Sequence, residues 1–432
     1  MLVQDETEGC MSKQLSSVQL AQPHFSSVID LDGDCLSDLF LTVRDVETGR
    51  HFYEIYLRRE RLDSSFSESE SGEDHVSGYN SFCLVAREEI EPEWNFKFAD
   101  VDRDGMIDMV YTKGTELTVH YNRLLNEKRQ NEADEEGIHL FITKNVCAST
   151  KRAINLIKDM YLAPKKAHGS ESPFVQRIDL KQVIPNAKEL YQVREDLPAQ
   201  FFFGDVNSDG YPDISITARL AAGGSQTFVL MNLPCTLRQC SEKLTQSSRR
   251  FFSTQDTIGD FNLFDQLQEV IEYSQFYKAQ LSKYKNSMYA TFFDLIEDSY
   301  FDLLLVSQDK AGSARIHALY NNMDRTPFFL KAHTITNSSL GSAHTGVSYR
   351  CVVSSVADGK YIAVAGSPGQ TAYQALQLPF SHVGIGRSNN FIEQFTVVIY
   401  NEGKRAMRQW SPIIPKSILF INADMSSEPK LW

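Results

Sequence analysis

No run of about 18 apolar residues occurs in the 432-residue chain, so the sequence offers no transmembrane helix. Met1–Lys13 is polar and acidic, without the apolar stretch of a signal peptide. By these two absences alone the chain reads as cytosolic. Positive charge is also short: 43 Lys and Arg stand against 56 Asp and Glu, a formal net charge of −13. That balance disfavours nucleic acid and anionic membrane surfaces as partners. Catalytic signatures are missing too: there is no Gly-x-Ser-x-Gly elbow, His-Glu-x-x-His, phosphate-cradling Lys loop or Cys–His nucleophile pair. His24, His333, His344 and His382 stand at strand ends or in loops without acidic or nucleophilic company, and read as surface or packed side chains. No enzyme is expected.

Cysteine is sparse and odd in number, seven in all. Only Cys235 and Cys240, which follow Pro234, have the spacing of a small-loop disulfide, and that pairing presumes an oxidising compartment. Cys10, Cys35, Cys83, Cys147 and Cys351 show no pairing pattern, so at least one thiol stays free or pairs between chains. Asn337-Ser-Ser is a permitted N-glycosylation site, which also points outside the cell.

What the chain has in quantity is one recurring unit. Residues 25–42 (FSSVIDLDGDCLSDLFLT), 96–112 (FKFADVDRDGMIDMVYT), 201–217 (FFFGDVNSDGYPDISIT) and a worn copy at 291–306 (TFFDLIEDSYFDLLLV) share an aromatic strand, an acidic nine-residue loop and a second apolar strand. Acidic or amide side chains recur at loop positions one, three, five and nine, and alternate residues at the start of a tight loop converge on one point. An all-oxygen, multi-carboxylate cage suits a hard cation such as Ca²⁺, which takes about 6–8 oxygens. No His or Cys occupies a ligand position, which argues against zinc. The second loop offers Asp100, Asp102, Asp104 and Asp108 with the Met106 carbonyl; the third offers Asp205, Asn207, Asp209 and Asp213 with the Tyr211 carbonyl. Gly105 and Gly210 supply the positive φ of the turn. The first loop offers Asp30, Asp32, Asp34 and Asp38, but Cys35 takes the turn position and the glycine moves to Gly33, so weaker binding is expected there. The fourth keeps Asp294, Asp298 and Asp302 but has Ile296 at position three and Ser299 at the turn, and is expected to bind little or nothing.

Two other readings were open. An EF-hand loop needs a Glu at position twelve and flanking helices; Leu41, Tyr111 and Ile216 stand there, between β-forming segments. Asp-Gly clusters are also ordinary hairpin turns, a reading that suits one copy better than three near-complete ones.

Further short strands are expected at Phe52–Leu57, Leu117–Tyr121, Leu140–Thr143, Thr227–Met231 and Arg315–Leu319. Several strands per repeat fit the blades of a β-propeller, here assigned to residues 14–345. Two acidic, polar stretches, 64–81 and 126–137, read as solvated insertions, and Asn262–Lys285 has the period of a short amphipathic helix packed on a blade edge. From 346 to 432 the acidic motif is gone. Strands at Tyr361–Ala365, Ala375–Phe380, Phe395–Tyr400 and Ser417–Ile421 suggest a separate antiparallel, sandwich-like β module, and Gly384-Ile-Gly386-Arg387 reads as turn chemistry.

The strand–DxDxDG–strand units resemble the FG-GAP repeats of the integrin α-subunit propeller. The fourth unit, the NLPC…C segment from Asn232 and the tail ALQLPFSHVGIGRSNNFIEQFTVVI…QWSPIIPKSILFI are similar to the T-cell immunomodulatory protein family of FG-GAP glycoproteins. The resemblance implies an all-β propeller followed by a β module, Ca²⁺ in the loops, and a secreted or type I membrane glycoprotein. It also implies modulation of T-cell function through a protein partner, such as a cell-surface receptor, met by the propeller loops. Membrane attachment would come only through that family's transmembrane helix. Against the family pattern, a truncated form or an incomplete propeller is expected here. The alternatives are a propeller that accompanies a hydrolase or lyase domain, or an intracellular scaffold.

Overall fold

The computed structural model of the chain describes residues 18–59, 81–122, 175–234 apart from 185 and 195–196, 249–253, 281–321, and 327–423 apart from 339–340, 356–358, 370–372, 374–376, 387–390 and 402–403. The expected insertions at 64–81 (but for Ser81) and 126–137, the strand at 140–143, the pair Cys235 and Cys240, and the helix at 262–285 (but for its last five residues) lie outside these residues.

The chain is all-β. Among the described residues four sheets follow one another in sequence, each containing a strand that runs into an acidic loop. The first contains β1 (Val18–Leu20), β2 (Ser26–Ile29), β3 (Asp38–Asp45), β4 (His51–Arg59) and β5 (Ser81–Ile90), with β1 and β2 both paired to β3. The second is β6 (Asn95–Ala99), β7 (Asp108–Lys113), β8 (Glu116–His120) and β9 (Val175–Asp179) in that order. After the one-turn helix α1 (Leu180–Val183) comes the third: β10 (Ala187–Leu190), β11 (Phe201–Gly204), β12 (Asp213–Leu220), β13 (Ser225–Pro234) and β14 (Arg249–Ser253). The fourth has β15 (Ser287–Phe293), β16 (Asp302–Gln308) and β17 (Ala314–Leu319). All pairings in these sheets are antiparallel.

Residue choice follows position. β7, a central strand, is buried from Asp108 through Thr112, and apolar and aromatic side chains fill both of its faces. β17, at an edge, leaves Ile316 72% exposed. Consecutive sheets share cores: Phe40, Ile55 and Phe96 join the first and second, Val119, Phe201 and Ile214 the second and third, and Val229, Phe292 and Leu305 the third and fourth. Polar bonds run across the same seams, from Asn95 Nδ2 to the Ala199 carbonyl (2.7 Å) and from Ser215 Oγ to the Ala290 carbonyl (2.8 Å). The opening strands converge on a cavity of about 250 Å³, with Ser26, Lys97, Phe202 and Thr291 on its wall.

The C-terminal module is two facing sheets. One has β18 (Phe328–Ser338) paired with β19 (Gly341–Ala343), β22 (Ser381–Gly386) and, in parallel, β25 (Ser417–Asn422). The other runs β21 (Gly359–Gly366), β20 (Ser348–Ser355), β23 (Gln394–Asn401), β24 (Lys404–Trp410). Leu330, Val383 and Ile421 meet Tyr349, Cys351, Phe395 and Val397 between them. The boundary expected at 345/346 therefore falls inside the module, because β18 at Phe328 already belongs to its sheet and core. Gln377–Phe380, part of the expected strand Ala375–Phe380, is not a strand; Pro379 has no N–H to donate, and pairing starts at Ser381. Gly384 and Gly386, expected in a turn, lie in β22. Among the described residues no helix is long and apolar enough to cross a membrane.

Candidate metal centres

The four acidic loops, 30–38, 100–108, 205–213 and 294–302, join the first and second strands of their units and share one backbone path. Position four has positive φ in every copy (Gly33 +78°, Arg103 +58°, Ser208 +53°, Glu297 +57°), and so does position six (Cys35 +68°, Gly105 +88°, Gly210 +93°, Ser299 +66°). The glycine at 33 is thus not a displaced position six; it serves position four. Cys35 holds the left-handed conformation anticipated for it, at a cost of about 1–3 kcal/mol. Cys35 and Cys83 are both disulfide-bonded, where the sequence showed no pairing pattern, while Cys351 is a buried free thiol.

The path is written by the carboxylates. At position one, Oδ2 of Asp30, Asp100, Asp205 and Asp294 accepts from the N–H of position six at 2.9, 3.1, 2.8 and 3.0 Å. At position five, Asp34, Asp104, Asp209 and Asp298 accept from the N–H of position seven, which includes Met106 (2.9 Å) and Tyr211 (2.8 Å). At position nine, Oδ2 of Asp38, Asp108, Asp213 and Asp302 accepts from the N–H of position two at 2.8 to 3.1 Å. Its other oxygen accepts from the end of the third strand: Arg58 N (2.9 Å), Asn122 N (2.7 Å), Asn232 N (2.9 Å) and Asn321 N (2.8 Å). The ninth carboxylate is therefore a rivet between loop and sheet as well as a candidate ligand.

Asn122, Asn232 and Asn321 were missed by sequence reasoning. Each sends its Nδ2 to the position-two carbonyl of the preceding loop: Leu31 (2.7 Å), Val101 (2.9 Å) and Val206 (2.9 Å). Each unit thus fastens the loop before it. The signal was present, as YN at 121–122, MN at 231–232 and YNN at 320–322 close their third strands.

Side-chain oxygens of Asp30, Asp32 and Asp38 lie within 4.8 Å of one another, as do those of Asp100, Asp102 and Asp104. In the third loop, Asn207 Nδ2 donates to Asp209 Oδ2 (3.0 Å) beside Asp205 and Asp213. Burial, then the charge of neighbouring loop carboxylates, pushes Asp38, Asp100, Asp108, Asp205 and Asp213 well above the usual carboxylate range, and Asp34 up to about 8. Buried anions crowded this way favour protonation or a cation. An all-oxygen donor set at this spacing fits a hard divalent ion: Asp100, Asp102, Asp104 and Asp108 would hold it in the second loop, Asp205, Asn207, Asp209 and Asp213 in the third.

The loops are not a free surface. The module covers them: Ser37 Oγ donates to the Gly346 carbonyl (2.5 Å), Gly386 N to the Ser208 carbonyl (2.8 Å), and His382 Nε2 to the Ser299 carbonyl (2.8 Å). Arg350 Nη2 reaches Asp30 Oδ2 (3.0 Å) and Lys331 Nζ reaches Asp294 Oδ2 (2.5 Å). A Cβ at Gly384 would sit 1.8 Å from Asp205 Oδ2, so only glycine lets β22 approach the third loop. Of the histidines, His382 stacks on Phe329, His333 on Phe420, and His24 meets Tyr373 edge-on. Asn337 lies in β18.

Comparison with known proteins agrees with this architecture in its C-terminal part: residues 339–432 match the family described as ITFG1, C2 domain. The chain is similar to the T-cell immunomodulatory protein of Homo sapiens, 26% identical over 429 residues, covering 95% of this chain and 58% of that protein. It is also similar to the T-cell immunomodulatory protein homolog of Plasmodium falciparum (24% over 428 residues; 93% of this chain and 53% of that protein). Protein linkin of Caenorhabditis elegans matches at 26% over 243 residues, 51% of this chain and 36% of that protein. The chain thus spans little more than half the length of its full-length T-cell immunomodulatory relatives. Together these matches make the chain similar to the T-cell immunomodulatory proteins over nearly its whole length, and to the ITFG1 C2-domain family over its C-terminal residues.

Proposed function

We propose that this chain is the calcium-binding part of an extracellular or cell-surface interaction protein with a T-cell modulator-like role, built from FG-GAP-type propeller blades and a C-terminal β module. One observation carries the calcium reading. Four loops in four successive sheets repeat the same backbone path, and in the first two of them three carboxylates converge within 4.8 Å of one another. Support for the blades comes from the repeated strand–loop–strand order and from opening strands that converge on one cavity. The modulator-like role is supported by the printed names of the relatives. No catalytic step is proposed for the carboxylates, whose hydrogen bonds fix the loop backbone, tie the loops to the sheets and hold the module to them.

Held by Asp100, Asp102, Asp104 and Asp108 and by Asp205, Asn207, Asp209 and Asp213, calcium would offset the mutual repulsion of these carboxylates and so stiffen the seam between the blades and the module. Because the module covers the loops, a protein partner would meet the outer strands and connections instead of the calcium loops. Titration of calcium into EDTA-stripped chain by isothermal calorimetry tests the reading, with magnesium as control. Saturable binding that is lost in Asp100→Asn/Asp205→Asn supports it; no heat of binding at millimolar calcium refutes it.

A further inference from the structure

The C-terminal module buries two basic side chains among the described residues, Lys331 and Arg350, and both end on acidic loops of the blades. Arg350 Nη2 lies 3.0 Å from Asp30 Oδ2, with the two side chains 4% and 7% exposed; Lys331 Nζ lies 2.5 Å from Asp294 Oδ2, with 5% and 2%. In both cases the carboxylate is the one at position one, the residue whose oxygens also fix the turn.

The module meets the two middle loops differently. Gly105 packs against Ile362, whose Cβ would be 3.1 Å from an added methyl group, and the backbone at Gly384 and Gly386 lies on Asp205 and Ser208. Asp100 and Asp205 there accept from backbone N–H groups. Arg103, also buried, lies over the rings of Tyr211 (4.5 Å) and Tyr361 (3.8 Å) and donates to the Asp209 carbonyl (3.0 Å). So the module brings a full positive charge to the first and fourth loops, and an apolar side chain or bare backbone to the second and third.

We propose that Arg350 and Lys331 are tethered cations that take the place of metal in the loops 30–38 and 294–302, so that only the loops 100–108 and 205–213 bind calcium. This rests on the reading of the middle loops as calcium sites. A buried carboxylate cluster needs a compensating cation, and a guanidinium or ammonium already seated on the position-one carboxylate repels a divalent ion from the same cage. The two outer loops are also the ones whose sequences depart from the pattern, at Cys35 and at Ile296 with Ser299. In the first loop the carboxylate set is nevertheless intact, so its metal-free state is imposed by Arg350 and is reversible by mutation. In the fourth, Ile296 withholds a ligand whatever Lys331 does.

Native mass spectrometry of the full chain in calcium counts the ions directly. One ion in each middle loop is expected, two per chain. Asp100→Asn loses one of them and Asp30→Asn loses none. Arg350→Met gains a third, and Lys331→Met gains nothing. More than two ions on the unmutated chain, loss of an ion in Asp30→Asn, or no gain in a folded Arg350→Met overturns the proposal while leaving calcium binding intact. If Arg350→Met does not fold, the Asp30→Asn comparison decides alone. An unmutated chain that holds no calcium overturns the calcium reading itself, and this proposal with it.

Discussion

Asn232 reaches across a sheet boundary to Val101: its Nδ2 donates to that carbonyl at 2.9 Å, 131 residues away, while its own N–H is held by Asp213. Asn122 and Asn321 repeat the arrangement one unit earlier and one later. In the first sheet the corresponding backbone donor is Arg58. The first three acidic loops are thereby linked in series, each held by the unit that follows.

Asn232→Ala removes the donor and leaves the buried Val101 carbonyl without that bond. A loss of about 1–3 kcal/mol is expected. Asn232→Asp should cost more, since it turns an oxygen toward an oxygen. Urea unfolding of the two variants checks the order.

Phe96 is fully buried where the first two sheets meet, with ring centroids 5.0 Å from Phe40 and 5.3 Å from Tyr111. Phe96→Ala should cost about 3–5 kcal/mol. The midpoint of chemical denaturation reads it.

Gly384→Ala places a methyl group against Asp205 and should lift β22 from the third loop. The expected result is faster amide hydrogen exchange in β22 and in residues 205–213, and weaker calcium binding. Unchanged exchange in both segments would show that the contact does not hold the module.

Stability in EDTA should fall as pH rises. The folded-state pKa of the loop carboxylates is raised above the unfolded value of 3.8, to about 8 for Asp34, so their folded-state advantage is full below 3.8 and is lost through the folded pKa. His120 and His382, lowered from 6.5 to about 4 by burial, act in the opposite direction only below 6.5. Lys97, lowered from 10.5 to about 7 by burial, opposes them from about pH 7 upward, so the carboxylates act unopposed by these groups only between about pH 6.5 and 7. Melting curves across that window should slope downward in EDTA and flatten in calcium, which replaces the protons at the middle loops.

The acidic loops were legible because their pattern is local: nine residues carry the carboxylates and the turn together. The strands at Phe52–Leu57, Thr227–Met231 and Phe395–Tyr400 were legible from alternation and β-branching. What escaped depends on residues distant in the chain. Asn232 looks like any strand-end amide until Val101 arrives beside it. Lys331 and Arg350 sit in strands with the composition of any other, and only pairing and burial give them to the loops. Gly384 reads as a turn residue, yet its missing side chain is explained by Asp205. The module's start at Phe328 likewise depends on the pairing of β18 with β22 and β25, which no composition shift announces.

Differential scanning calorimetry of the chain in 10 mM calcium and in EDTA, at matched ionic strength, tests the central claim most directly. With dissociation constants on the order of 10⁻⁴–10⁻³ M, each occupied loop adds about 1.4–2.7 kcal/mol at about 10 mM calcium. The account predicts a higher melting temperature in calcium, with the difference abolished in Asp100→Asn/Asp205→Asn. Identical melting temperatures for the unmutated chain in calcium and in EDTA would contradict it.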